Sequence, residues 1–154
     1  MLAPLHAALA QALAGVRCRV GTVHGDFGTK NIMVDGGRIV GVIDWENAET
    51  EAPLVLDLMG YLDSADRRVH RGQTLADTVP RIAAGQWREP VEAALLAHEL
   101  AAGGADAGAL RGLAMLYWLA HVTPQLAFGA AGEADRQRFE QVLRWAIATA
   151  ANPP

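Results

Sequence analysis

Apolar residues recur along this chain with two different periods. Through residues 2–14, Leu and Ala fall at helical spacing, Pro4 sits in the first turn where a missing N–H does no harm, and Gly15 closes the segment. A helix is predicted there. Val16, Val20 and Val23 lead into a short strand. Two apolar runs follow, Ile32-Met33-Val34 and Ile39-Val40-Gly41-Val42-Ile43, with Asp35-Gly36-Gly37-Arg38 between them. Gly-rich dipeptides between β-branched runs signal a tight hairpin, predicted over 32–43, with Val and Ile runs suited to building a core.

Past Glu46 the period changes to that of helices. Residues 47–51 read as a polar loop, and 53–62 as a helix with Leu54, Leu58 and Tyr61 on one stripe. Further helices are predicted over 74–84, interrupted by Pro80, and over 90–102, opened by Pro90 and closed by Gly103-Gly104. A long apolar helix over 106–128 should kink or end at Pro124. An amphipathic one over 133–150 precedes a frayed Asn152-Pro153-Pro154. The fold class is therefore α+β and mainly helical. It is one domain over 1–154, with a β-containing motif core at 20–62 and a helical subdomain at 63–150.

Composition narrows the function. Half the residues are apolar and the net charge is only −4, with no basic run, so neither a nucleic-acid groove nor an anionic membrane surface is indicated. No apolar stretch reaches the ~18 residues of a spanning helix, and the N-terminus lacks the form of a signal peptide. The lone Cys18 builds no disulfide framework, so a cytoplasmic setting is expected.

The chemistry is concentrated in V-H-G-D-F-G-T-K-N-I-M-V-D-G-G-R-I-V-G-V-I-D-W-E, residues 23–46. A hairpin returns the chain to its start, so Asp44 should come back beside Asn31, with Asp26 close by. One amide oxygen and two carboxylates suit a hard divalent cation, Mg²⁺, with Asn31 and Asp44 as ligands. Asp26 would face an incoming hydroxyl and take its proton during phosphoryl transfer.

H-G-D-x-x-x-x-N, a hairpin and I-D-W-E together resemble the core of the aminoglycoside phosphotransferase and choline kinase-like family, distant relatives of the protein kinases. The resemblance spans residues 23–62, and the helical pattern extends it loosely to the end. It implies a kinase-like C-terminal lobe whose hairpin carries the catalytic loop, ATP (or GTP) as donor, and a small-molecule hydroxyl as acceptor. It implies Asp26 as catalytic base, Asn31 and Asp44 as metal ligands, His24 as anchor of the catalytic loop, and Asp57 as the acid that steadies the loop from a helix. Trp45 stands where the kinases carry Phe and is expected to pack under the loop. Family members carry an N-terminal lobe with a glycine-rich loop and a phosphate-gripping lysine. Here only 23 residues precede His24, and the sole lysine, Lys30, lies inside the loop. The expectation is a partial member whose missing lobe lies upstream in the gene or on a partner chain, inactive or weak by itself. A non-catalytic remnant that binds a small molecule or a protein is the alternative. A fragment would present Leu2, Leu5, Leu9 and Leu13 of the first helix as an apolar docking face.

Each of these residues has a plainer reading. Asp26, Asn31 and Asp44 also suit turns and caps, and Lys30 either touches a phosphate or is a solvated loop lysine. Glu46 either contributes a water-mediated metal contact, meets a substrate amine, or lies on the surface. Glu46, Glu49, Glu51, Asp63 and Asp66 read first as a solvated acidic face, and second as the lining of a site for a cationic acceptor.

Overall fold

The computed structural model describes residues 2–127 and 132–151. Helix α1 spans Leu2–Leu13, and Gly15 beyond its end takes φ +73°, the left-handed conformation that glycine adopts without strain. Strand β1 (Val20–Val23) pairs antiparallel with β4 (Glu49–Pro53), Val20 opposite Pro53 and Val23 opposite Glu49. Between them β2 (Ile32–Asp35) and β3 (Arg38–Val42) form the hairpin. Its two loop residues, Gly36 and Gly37, have φ +54° and +77°, the pair of positive values that lets a two-residue turn follow strand twist. Val34 faces Ile39 but Met33 faces Gly41, which leaves Val40 as a bulge.

Two expectations fail in this region. The stretch 47–51 is not a plain polar loop: Trp45–Asn47 makes one 3₁₀ turn, and β4 starts at Glu49. The first three residues of β4 are exposed, so backbone pairing with β1 holds it rather than side-chain burial. The hairpin does not build the core. Val34, Ile39 and Val40 are 62 %, 66 % and 61 % exposed, and the half-buried residues, Ile32, Gly41 and Val42, lie at the end away from the turn.

The core is helical. Helix α2 spans Val55–Val69, α3 Leu75–Ala83, α4 Pro90–Gly103, α5 Leu110–Ala127 and α6 Glu133–Ala151. Helix α5 is central: Leu113, Ala114, Met115, Tyr117 and Trp118 are at most 1 % exposed. Leu5 and Ala8 of α1, Met59 and Leu62 of α2, Val79 and Ile82 of α3 and Val142 and Ala146 of α6 belong to the same cluster. At Gly112 a Cβ would come within 2.5 Å of the Ala12 carbonyl oxygen, so α1 and α5 meet backbone to backbone. Leu5 is buried and Leu9 and Leu13 pack against the core. These leucines therefore form no exposed docking face, and the side chain of Leu2 lies outside the described residues.

The helix limits depart from expectation for identifiable reasons. Helix α2 continues past 62 to Val69 because Asp63 and Asp66 are buried acids that break the apolar pattern without leaving the core side. Helix α3 contains Pro80. The proline forfeits one bond near the helix end, and a capping box between Thr74 and Asp77 secures the start. A 3₁₀ turn, Ala107–Ala109, precedes α5, with Asp106 Oδ1 accepting from the Gly108 N–H at 2.8 Å. Helix α5 continues through Pro124 to Ala127, so the proline does not end it. The predicted last residue of that helix, Phe128, and the predicted frayed end at 152–154 lie outside the described residues. Among the described residues no helix is long and apolar enough to cross a membrane.

Asp63 and Asp66 belong to no solvated face, since both side chains are fully buried. Asp66 lies 2.8 Å from His70 Nδ1, 2.8 Å from Arg88 Nε and 3.4 Å from Arg81 Nη2. Arg81 also donates to Glu92 of α4 at 2.8 Å. One carboxylate thus ties α2 to α3 and, through Arg81, to α4. Taking one member out of a buried ionic group leaves charge without its counterpart. Asp66→Ala should lower stability by about 3 kcal/mol, read from urea unfolding. A loss below about 1 kcal/mol would mean that water replaces the carboxylate at little cost.

Candidate active site

The loop between β1 and β2 is held from inside the protein. Asp57, in the first turn of α2, accepts hydrogen bonds from the backbone N–H groups of His24 (2.7 Å) and Gly25 (3.1 Å). The His24 side chain is fully buried. Its Nδ1 accepts from the Asp26 N–H at 3.3 Å, so Nε2 carries the proton and donates to the Ile43 carbonyl at 2.8 Å. Trp45 lies over this imidazole with ring centroids 4.7 Å apart, and donates from Nε1 to the Val42 carbonyl at 2.9 Å. It is 50 % exposed, so it covers His24 without being buried beneath the loop.

Ile43 is the hinge that brings the far end of the hairpin back. Its N–H donates to the Asn31 carbonyl at 3.0 Å while its own carbonyl is held by His24. Asp44 follows directly, exposed and in the left-handed conformation at φ 68°, which Asp tolerates better than most residues. Asn31 is buried, and its Nδ2 donates to the Asp26 carbonyl at 2.9 Å and toward Asp26 Oδ2 at 3.5 Å. The amide nitrogen is thereby committed, which leaves Oδ1 as the donor atom for any cation. Lys30 Nζ lies 2.7 Å from Asp26 Oδ2. The bond to Asp26 and the pull of its charge raise the Lys30 pKa, with a smaller contribution from Asp44.

The loop fits because small residues meet it. Gly25 has φ +79°, and a Cβ there would lie 2.2 Å from the Asn47 carbonyl oxygen. A Cβ on Gly60 would meet the Phe27 carbonyl at 3.0 Å, and one on Gly28 would meet Ser64 Oγ at 2.8 Å. Ser64 Oγ in turn accepts from the Thr29 N–H at 3.0 Å. Ser64 and Gly60 are supports that sequence reasoning missed. The signal was present: Asp57, Gly60 and Ser64 stand at i, i+3 and i+7, one face of one helix.

A cleft of about 530 Å³ opens beside the loop, lined by Asp26, Phe27, Glu46, Glu49, Asp57 and His121 among others. Thus His24, Asp26, Lys30, Asn31, Asp44, Glu46 and Asp57 gather around one loop and its cleft. Of the acidic group, Glu46 and Glu49 face the cleft, while Asp63 and Asp66 are in buried ion pairs. Among the described residues no three His, Cys, Asp or Glu side chains form a metal-holding group. Asn31 Oδ1 and the Asp44 carboxylate are the oxygens that could hold a cation here.

A helix carboxylate clamps a loop that presents Asp26 to a cleft, with Asn31 in the same loop and Asp44 directly after Ile43, whose N–H bonds the Asn31 carbonyl; carboxylates and an amide oxygen so placed are the groups phosphoryl transfer uses. Residues 1–113 match the family described as phosphotransferase enzymes. That is well over half of the chain, and the chain belongs to this family. Neither a curated protein nor a solved structure matches it.

Gly25→Ala tests the loop geometry. The new methyl has no room beside Asn47 and the backbone conformation disfavours it, so stability should fall by about 2 kcal/mol or more, measured by thermal unfolding. An unchanged melting temperature would show that the loop does not need this close approach.

Proposed function

We propose that this chain carries the catalytic lobe of an ATP-dependent phosphotransferase, which moves the γ-phosphoryl group of ATP or GTP to a hydroxyl of a small molecule. The observation that carries the reading is the clamped loop: Asp57, His24 and Ile43 fix by hydrogen bonds the backbone from which Asp26, Asn31 and Asp44 project. Asp26 orients the acceptor hydroxyl and takes its proton as the new O–P bond forms and the nucleoside diphosphate leaves. Asn31 Oδ1 and the Asp44 carboxylate would hold Mg²⁺, a hard cation that takes oxygen ligands. When bound, that ion neutralises charge on the phosphates. Lys30, exposed and paired with Asp26, exchanges that partner for a phosphate oxygen when nucleotide enters. His24 holds the loop, and Glu46 is assigned to the acceptor or to water near the metal.

In this reading the helical body is a kinase-like C-terminal lobe, with motif core 20–62 and helical subdomain 63–150 in one domain over 1–154. The grip on the α- and β-phosphates comes from a further lobe, in the same polypeptide or on a partner chain. The single, half-buried Cys18 suits a cytoplasmic setting. One observation favours a second reading, a binding module without catalysis: the Asp26 carboxylate is already engaged by Lys30.

Titrating Mg-ATP into the protein, with Asp44→Ala as control, separates the two. Loss of one metal ligand should weaken binding at least about tenfold, on the order of 1.4 kcal/mol. Equal affinity in wild type and Asp44→Ala, or no binding by either well-folded protein, would count against the enzyme as assembled from these residues.

A further inference from the structure

Lys30 is the sole lysine of the chain, and it stands inside the loop that carries the site. The backbone on both sides of it is held. The Thr29 N–H donates to Ser64 Oγ at 3.0 Å, and the Asn31 N–H donates to the Gly28 carbonyl at 3.0 Å. Asn31 Nδ2 donates to the Asp26 carbonyl at 2.9 Å. The Lys30 side chain is 66 % exposed on a flexible stem, so its ammonium can swing while the loop stays in place.

That ammonium lies among the groups assigned to the cation. It is 2.7 Å from Asp26 Oδ2, the oxygen toward which Asn31 Nδ2 also points at 3.5 Å. The charge of Asp44 reaches it as well, and the Arg67 guanidinium on α2 adds a second positive charge to the same field. A divalent ion approaching Asn31 Oδ1 and Asp44 by itself therefore meets like charge, part of it on the neighbouring residue, and that repulsion subtracts from its binding. A nucleoside triphosphate changes the balance. Its oxygens carry more negative charge than one carboxylate, and a lysine ammonium is a point charge that suits phosphate. The ion pair with Asp26 is exposed, so giving it up costs little.

We propose that Lys30 is a gate on the order of binding: its ammonium, paired with Asp26, keeps a free divalent cation out of the Asn31–Asp44 site and admits the cation only together with nucleotide phosphates, which draw Lys30 off the carboxylate. The same movement frees Asp26 for the acceptor hydroxyl, so the base is uncovered only once the donor is in place. Lys30 makes and breaks no covalent bond. The proposal rests on the phosphotransferase reading above and adds a regulation of that site.

The test uses the full chain with Mn²⁺ alone, whose free ion is counted by electron paramagnetic resonance, then with ATP in EDTA, then with Mg-ATP by calorimetry. Lys30→Met removes the charge and keeps the stem, Lys30→Arg keeps the charge, and melting temperature checks that each variant is folded. Lys30→Met should bind Mn²⁺ alone about tenfold more tightly than wild type, the order expected when a unit charge is removed beside a divalent ion. It should bind ATP without a divalent cation about tenfold more weakly. Lys30→Arg should follow wild type in both. Adding Asp44→Ala to Lys30→Met should abolish the gain in Mn²⁺ affinity, and NaCl near ~1 M should shrink it, because salt screens exposed charges. A solvated loop lysine would move neither affinity, and a lysine that only grips phosphate would move the second alone. Mn²⁺ affinity in Lys30→Met equal to wild type, including the case in which neither binds, would overturn the proposal. So would an unchanged ATP affinity, or a Lys30→Arg that behaves as Lys30→Met. Mg-ATP binding by neither protein, with the Mn²⁺ difference present, would instead remove the phosphotransferase reading and leave the exclusion of the free cation standing.

Discussion

The two hydrogen bonds from the His24 and Gly25 amides to the Asp57 carboxylate are the attachment on which the site depends. A surface loop has few ways to hold one conformation, because its backbone groups otherwise bond to water. Here a charged acceptor in the first turn of a core helix takes two of those groups, and charge-assisted bonds of this kind are stronger than neutral ones. The bonds fix the backbone on either side of Gly25, and the buried His24 ring passes that order on to Ile43. Through Ile43 the hairpin is tied back to Asn31, and Asp44 follows one residue later. Position at the far side of the site is thus inherited from a single carboxylate on α2.

Helix α2 does more than carry that carboxylate. Asp57 faces the loop, Asp63 meets Arg67 one turn further along the helix, and Asp66 meets arginines on two neighbouring segments. Three acids along one helix serve three different surfaces. Those at 63 and 66 are buried, where an unpaired carboxylate would be costly. Their partners also account for the helix running to Val69 through a stretch whose polar residues resemble a surface loop.

The hairpin shows the opposite division. Its turn and register follow from local chemistry, two glycines between β-branched runs. Its exposure does not. A strand pair buries its side chains only if another layer covers them, and Val34, Ile39 and Val40 have no such cover. Apolar runs predict core because core is their commonest destination. Whether a covering layer exists is a property of the assembled chain.

The sequence by itself determined the elements whose signal is local: the glycine-closed first helix, the Gly36-Gly37 hairpin, Pro90 at the start of α4, and the spacing of His24, Asp26, Asn31 and Asp44. That spacing was legible because a hairpin of known length returns to its origin. Tertiary structure alone decided which polar residues turn inward. Ser64, Asp63, Asp66 and His121 look like ordinary helix residues until their neighbours are known, since burial of a polar group is set by partners distant in the chain. Tertiary structure also decided that β4 exists, because three exposed residues become a strand only where β1 offers an edge. The loop from His24 to Asn31 was readable because its residues lie close together in sequence. The helix that clamps it and the cleft beside it were not, because they are built from segments that only packing brings together.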